Sequence, residues 1–332
     1  MITTLEACGA DATANRRKSN ADLASDQRRL EENTGGAGQS RLTSCRLATG
    51  RDPYGGVLRK SEALARSTFA SFARIVEDLK KSGISITSLE AMGLEGVDAL
   101  LADAYALVAR HSPGTRSFQA SGADLVAHDK IIRWGLSDRL LDIAENYLGV
   151  PVGYDGINVF FTKADGMEAG ARRWHRDVED RRMLKIALYL NDVDEDGGPL
   201  QVLRRQLPDH DRMVRGKFPI LSQEKLETAL GDFDPDRDVV TCTGKAGTVI
   251  FADTAAFYHR GKPASARDRC AIFFNYMNRA PLRPFRCERS PISRAQTRRL
   301  AASMPQRQRD CLLWRDSLPV VARMVPPAPL WQ

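Results

Sequence analysis

Two short segments constrain this chain more than anything else in it, because only a folded sheet can bring them together. One is Trp174-His175-Arg176-Asp177, the only His-x-Asp in the 332 residues, and the other is Tyr258-His259-Arg260-Gly261. In an extended strand, residues i and i+2 face the same way, so His175 and Asp177 are placed to offer an imidazole nitrogen and a carboxylate oxygen to one ion. His259 follows Gly247-Thr-Val-Ile-Phe-Ala252, an apolar run that reads as a buried strand entering a turn. A fold that joins the segments sets two histidines and one carboxylate on one face of a metal. Three positions stay open, the arrangement that non-haem Fe(II) oxygenases use to hold a cosubstrate and dioxygen.

Shortly after His259, Arg269 opens Arg269-Cys-Ala-Ile-Phe-Phe-Asn-Tyr276, a strand-like run that carries a guanidinium inward near the metal. A planar fork of fixed charge suits the far end of a dicarboxylate, which it grips bidentately. Arg267 is the competing choice, and Asp268 is the local partner expected to occupy it.

His175-x-Asp177, then Leu184-Lys-Ile-Ala-Leu-Tyr-Leu-Asn-Asp-Val193, Gly197-Gly-Pro-Leu-Gln-Val-Leu203, His259-Arg-Gly261 and Arg269 together resemble the phytanoyl-CoA dioxygenase family of Fe(II)/2-oxoglutarate-dependent oxygenases, over residues 150 to 280. The resemblance implies a mostly β fold with flanking helices (α+β) around a double-stranded β-helix, the jelly-roll or cupin-like core. It also implies Fe(II) on His175, Asp177 and His259, with 2-oxoglutarate as cosubstrate on Arg269. The expected outcome is hydroxylation of a small or medium organic molecule, with dioxygen consumed and succinate and CO2 as coproducts. A carboxylate at position 177 argues against halogenation, which needs that ligand position for halide. The chain departs from the family at Arg204-Arg205-Gln206-Leu207, where members usually carry Pro-Gly-Ser-His after the Gly-Pro-Leu strand.

Further candidates follow from the strands. In 184–190 the alternation sets Leu184, Ile186, Leu188 and Leu190 on one face and Lys185, Ala187 and Tyr189 on the other, a cavity wall. Tyr189, and Asn158 on the strand-like Gly156–Thr162 run, are candidates to touch the cosubstrate. Lys185, Arg204 and Arg205 are candidates for a carboxylate or phosphate on the substrate, under a lid formed by residues 208 to 238. A structural alternative pairs both arginines with the Asp-rich loop near 232–236. His111, His128 and His210 read as surface or capping residues.

A net charge of +7 is unevenly placed: residues 279 to 332 hold eleven arginines and three acids, a net of +8, and the rest carries −1. Two other readings compete with the enzyme. One is an inactive barrel serving as a binding module, and the other a nucleic-acid-directed oxygenase led by this tail. The tail's only aromatics are Phe285, Trp314 and Trp331, too sparse for base stacking. Solvated or acid-paired arginines are the plainer reading. No apolar run approaches the ~20 residues of a membrane span, and the start lacks an apolar signal core, so the expected compartment is the cytoplasm. Six scattered cysteines fit reduced thiols.

Residues 1–55 read as a disordered segment and 56–290 as the oxygenase domain, with helical support over 56–150 and the β-helix over 151–280. Residues 291–332 read as a basic helical extension. Helices are expected over 57–81, 95–110, 138–147, 293–304 and 306–317. The second has a buried stripe of Leu100, Leu101, Tyr105, Leu107 and Val108. The oligomeric state is open.

Overall fold

The computed structural model describes residues 70–111, 117–207 and 220–326. The disorder expected over 1–55, the start of the helix expected from Val57, the side chain of His111, His210 and the residues after 326 lie outside them.

In chain order the elements are α1 (Ala70–Ser82), β1 (Ile84–Ser88), α2 (Leu89–Met92), α3 (Val97–His111), β2 (Phe118–Gln119), α4 (Gly122–Ala127), α5 (Asp129–Gly135), α6 (Asp138–Leu148) and β3 (Val152–Thr162). Then come β4 (Leu184–Tyr189), β5 (Leu200–Leu203), α7 (Gln223–Leu230), α8 (Pro235–Asp238), β6 (Val239–Cys242), β7 (Thr248–Asp253), β8 (His259–Gly261) and β9 (Arg269–Asn278). The C-terminal part adds α9 (Arg294–Ala301), α10 (Gln306–Leu312) and α11 (Val320–Met324).

The strands form a six-stranded sheet in the order β1-β7-β4-β9-β3-β2 and a three-stranded sheet in the order β6-β5-β8. Every ladder is antiparallel. Their inner faces meet through Ala187, Tyr189, Ile250 and Ala271 of the large sheet and Leu200, Val202 and Cys242 of the small one. Two sheets face to face with helices behind one of them make the expected jelly-roll.

The alternation read in β4 decides which way it faces. Leu184, Ile186 and Leu188 enter the large core shared with α1, α3, α5 and α6, while Lys185 lines a cavity on the other side. β3 follows the same logic with one break. Val152 and Tyr154 enter the core, the register shifts between Tyr154 and Gly156, and Ile157, Val159 and Phe161 enter it afterwards. The extra residue turns Asp155 to the cavity, with Asn158, Phe160 and Thr162 beyond it. Gly156 makes the bulge possible: its φ is 114°, and a Cβ there would lie 2.2 Å from that of Ser290.

α3 buries Leu100, Ala104 and Leu107, but Tyr105 is 45% exposed and donates its hydroxyl to the Leu190 carbonyl at 3.1 Å. Helices α2, α4 and α5 were not expected, being too short for a periodic stripe. Only the Ser121 and Asp124 capping box of α4 marks one in sequence.

The described part of the expected lid, 220–238, does not cover the cavity. Leu221, Leu226 and Leu230 pack with Trp174, Leu203, Leu207 and Tyr258 in a cluster of their own. An apolar helix face draws the segment there, and none of its residues lines the cavity.

Nor does the C-terminal extension stand apart. Leu300, Met304, Cys311 and Leu312 join the large core, and Trp314 and Leu318 close over Met277 and Cys287. Several of its arginines are tied down. Arg307 pairs with Asp142 at 2.8 Å and Glu145 at 2.7 Å, while Arg294 and Arg315 share Glu288. Among the described residues no helix is long and apolar enough to cross a membrane.

Candidate metal centre and its cavity

His175 and His259 meet through the backbone. Each N–H donates to the other's carbonyl, at 3.0 Å from His175 and 2.9 Å from His259, an isolated antiparallel bridge outside the named strands. Asp177 is fixed by its N–H on the Thr254 carbonyl at 2.9 Å. The two imidazole rings lie 4.3 Å apart, and the ligating atoms of all three residues fall within 4.8 Å of one another.

Ring orientation decides what these groups can do. The Nδ1 of His175 donates to the Arg173 carbonyl at 2.7 Å, and that of His259 faces the Phe257 carbonyl at 3.4 Å, so both present Nε2 to the shared space. His259 Nε2 is buried with no hydrogen-bond partner and lies 4.0 Å from the Asp177 carboxylate. Burial drives the pKa of His259 well below the ordinary 6.5, and the neighbouring His175 adds to that. His175 is lowered too, by burial, against the pull of Asp177. Burial opposes ionisation of Asp177, but the Lys185 ammonium and the two imidazoles outweigh it and hold the carboxyl below its ordinary 3.8. Two neutral imidazoles and an ionised carboxylate are the protonation states that a divalent cation requires. An orphaned buried nitrogen aimed at a nitrogen and an oxygen fits iron.

The three groups line a cavity of about 400 Å³ together with Arg269, Lys185, Asn158 and the apolar rings of Phe160 and Phe273. Arg269 sits opposite Thr162 in the β3–β9 ladder and is 7% exposed. One guanidinium nitrogen donates to the Gly198 carbonyl, Nε has no partner, and among the described residues no carboxylate pairs with it. Gly261 leaves room for this: a Cβ there would stand 2.9 Å from one guanidinium nitrogen and 3.2 Å from the other, so the guanidinium would have to shift. Arg267 is 63% exposed and pairs with Asp194, while Asp268 is taken by Lys163 at 2.6 Å. The partner foreseen for Arg267 is thus a different aspartate.

The other candidates fall out unevenly. Asn158 lines the cavity, its oxygen accepting from the Gln119 amide at 2.6 Å. Tyr189 does not. Its hydroxyl donates to the Cys242 carbonyl at 2.9 Å and accepts the Leu200 N–H at 2.8 Å, so it stitches the sheets together and has no hydrogen left for a cosubstrate. Lys185 lines the cavity but forms an ion pair with Asp177 at 2.7 Å, which makes it a neighbour of the metal rather than a free anion site. Arg204 is exposed and Arg205 pairs with Asp232 at 2.8 Å and Asp238 at 3.2 Å. Neither reaches the cavity, because the strand end that carries them turns toward the Asp-rich loop. His128 faces Asp103 at 3.6 Å, away from the cavity.

Four charged cavity residues were missed in sequence: Asp155, Arg172, Glu179 and Arg289. Glu179 is two residues beyond the motif, and its spacing from Asp177 was the available signal. Asp155 carried none, since only the bulge turns it inward.

No family model matches the sequence. Over 186 residues, 48% of this chain and 67% of the relative, the chain is 27% identical to the L-proline trans-4-hydroxylase of Streptomyces griseoviridis. It is similar to Fe(II)/2-oxoglutarate oxygenases. Among solved structures, the epimerase SnoN in complex with Fe3+, alpha ketoglutarate and nogalamycin RO is 20% identical, with a TM-score of 0.45 over 63% of this chain and 84% of that one. EctD from S. alaskensis with 2-oxoglutarate and 5-hydroxyectoine is 23% identical, with a TM-score of 0.39 over 65% and 80%. HygX from Streptomyces hygroscopicus with nickel, 2-oxoglutarate and hygromycin B is 15% identical, with a TM-score of 0.43 over 62% and 86%.

Proposed function

We propose that the protein is an Fe(II)- and 2-oxoglutarate-dependent dioxygenase that hydroxylates a small or medium organic molecule, with succinate and CO2 as coproducts. One observation carries this: a His-Asp-His donor set with an orphaned nitrogen and a buried guanidinium without a carboxylate open into the same cavity. The hydroxylase relative supports the reaction class.

His175, Asp177 and His259 hold the iron in this reading. Bound there, iron supplies open coordination positions and the redox capacity to activate dioxygen. The chain's own residues do the rest. The two Nδ1 contacts lock both imidazoles in the tautomer that leaves Nε2 free. Arg269 receives the distal carboxylate of 2-oxoglutarate, exchanging a buried unpaired charge for a bidentate pair. Phe160 and Phe273, in edge contact at 5.9 Å, keep water from the space where substrate lies. Buried, unpaired Cys242, Cys270, Cys287 and Cys311 suit a reducing compartment, and we place the protein in the cytoplasm.

The test is anaerobic addition of Fe(II) and then 2-oxoglutarate. A weak visible metal-to-ligand absorption should appear with wild type and vanish with Asp177→Ala. Folded wild-type protein that stays spectrally silent would refute the reading.

A further inference from the structure

The cationic side chains around the cavity are nearly all accounted for. Lys185 is on Asp177, Arg289 Nε meets Glu179 at 3.1 Å, Arg172 is held by Asp165, and Arg269 is the cosubstrate's in the reading above. Asp155 is what remains. It is 3% exposed, and the one cation whose charge favours its ionised form, Arg289, is already engaged by Glu179, so two carboxyls share one guanidinium. Glu179, 6% exposed, lines the same wall and repels it.

The fold spends conformational strain on keeping Asp155 a carboxylate acceptor. Its Oδ1 accepts the N–H of Glu288, and Glu288 is the one described non-glycine residue with a positive φ, 67°. That strained turn is clamped from outside. Arg294 reaches Glu288 at 2.7 Å and Arg315 at 2.9 Å, both from the C-terminal helical region. A backbone N–H delivered this way and the charge of Arg289 favour the ionised form, whereas burial and Glu179 outweigh them. A cation brought by a ligand resolves the conflict. The cavity is marked as a ligand site on separate grounds, by the unpartnered His259 Nε2 and Arg269 Nε that face it.

We propose that Asp155, with Glu179 beside it, seats a protonated amine of the substrate, so that the molecule oxidised is an amine with a compact apolar body resting on Phe160 and Phe273. This rests on the oxygenase reading of the cavity, and it reverses the anionic substrate expected from Lys185, Arg204 and Arg205. Asp155 is a specificity-determining residue, and Glu288 positions it.

The experiment uses the full chain and matched probes: cyclopentylamine against cyclopentanol, and pyrrolidine against N-acetylpyrrolidine, by calorimetric titration with Fe(II) and 2-oxoglutarate under nitrogen. A charge-assisted hydrogen bond in a buried site predicts that each amine binds about 10- to 100-fold more tightly than its neutral counterpart. Asp155→Asn should erase the preference, and Glu179→Gln should reduce it. Circular dichroism checks each variant's fold; if Asp155→Asn does not fold, the wild-type preference and Glu179→Gln decide. Equal binding of amine and neutral probes, no binding by either amine, or an undiminished preference in folded Asp155→Asn overturns the proposal. The visible absorption band separates the two claims. A band without amine preference ends this proposal and leaves the oxygenase; amine preference without a band ends the oxygenase reading and leaves only the amine-binding site.

Discussion

At one end of the β3–β9 ladder Arg269, opposite Thr162, buries a guanidinium with no carboxylate beside it among the described residues; toward the other end Asp155 and Glu179 bury two carboxyls against the single guanidinium of Arg289. The seven steps along β3 from Asp155 to Thr162 span roughly 20 Å of strand. A buried charge without a partner costs several kcal/mol, about as much as a small domain's margin of stability. The guanidinium, and a carboxyl whose ionisation burial and Glu179 oppose, are best understood as halves of pairs that ligands complete. In the reading proposed above, the difference between the ends is a difference in what they select, cosubstrate at one and substrate at the other, with the metal group serving both.

The largest effect expected is loss of that shared group. His259→Ala should weaken Fe(II) binding by more than ~100-fold and abolish substrate-stimulated succinate release, since it removes a ligand rather than one of its supports. Calorimetry with Fe(II) under nitrogen checks it, and retained affinity would show that the metal lies elsewhere.

Next comes the positive end. Arg269→Ala should raise the 2-oxoglutarate concentration for half-maximal turnover by about 10- to 100-fold, and exposed Arg267→Ala by less than ~2-fold. Equal effects would erase the asymmetry between the two arginines. Gly261→Ala should act more gently at the same end, raising that concentration several-fold as its methyl presses on the guanidinium, with Fe(II) affinity unchanged. If iron binding falls equally, Gly261 serves the metal bridge instead.

The acidic end is reached through pH. Burial and Glu179 hold the Asp155 carboxyl well above its ordinary 3.8. The folded chain therefore binds this proton more tightly than the unfolded one. Its contribution to stability is full below pH 3.8 and is lost as pH rises through the raised value. Without ligand, the melting temperature of Asp155→Asn should fall less than that of wild type as pH climbs from about 4 to 7. Parallel melting curves would count against an unpaired carboxylate. Smallest of all, Arg205→Ala should leave probe affinity unchanged and lower the melting temperature slightly, because its partners Asp232 and Asp238 lie outside the cavity. A change in affinity would bring that arginine back to the substrate.

The two ends were not equally legible in sequence. His175-x-Asp177, the apolar run before His259 and the strand opened by Arg269 are short-range patterns in which periodicity fixes direction, so the metal group and the positive end could be read from spacing. β4 was legible for the same reason, its alternation assigning Leu184 and Lys185 to opposite faces. Asp155 was not. Strict alternation from Val152 groups Tyr154 with Asn158, and only a register shift seen in pairing with β9 corrects it. Its hydrogen-bond donor lies 133 residues away, at a φ that glutamate seldom adopts. Arg204 and Arg205 became substrate candidates through a local departure from a family pattern; for Arg205 the structural alternative, pairing with the Asp-rich loop, is what the fold shows, through acids 27 to 33 residues distant.

The clamp on Glu288 has a practical side. Arg294 and Arg315 also bind the carbonyls of Arg323, Val325 and Ala322, so the wedge that aims Asp155 is braced against the last described helix. A fusion tag, a nick or a truncation in that helix sits far along the chain from the histidines, yet under the amine proposal it pulls on the residue that sorts substrates. Handling of the C-terminus thus becomes a variable in any screen: a preparation with full iron loading and a disturbed tail would bind cosubstrate normally and report the wrong substrate.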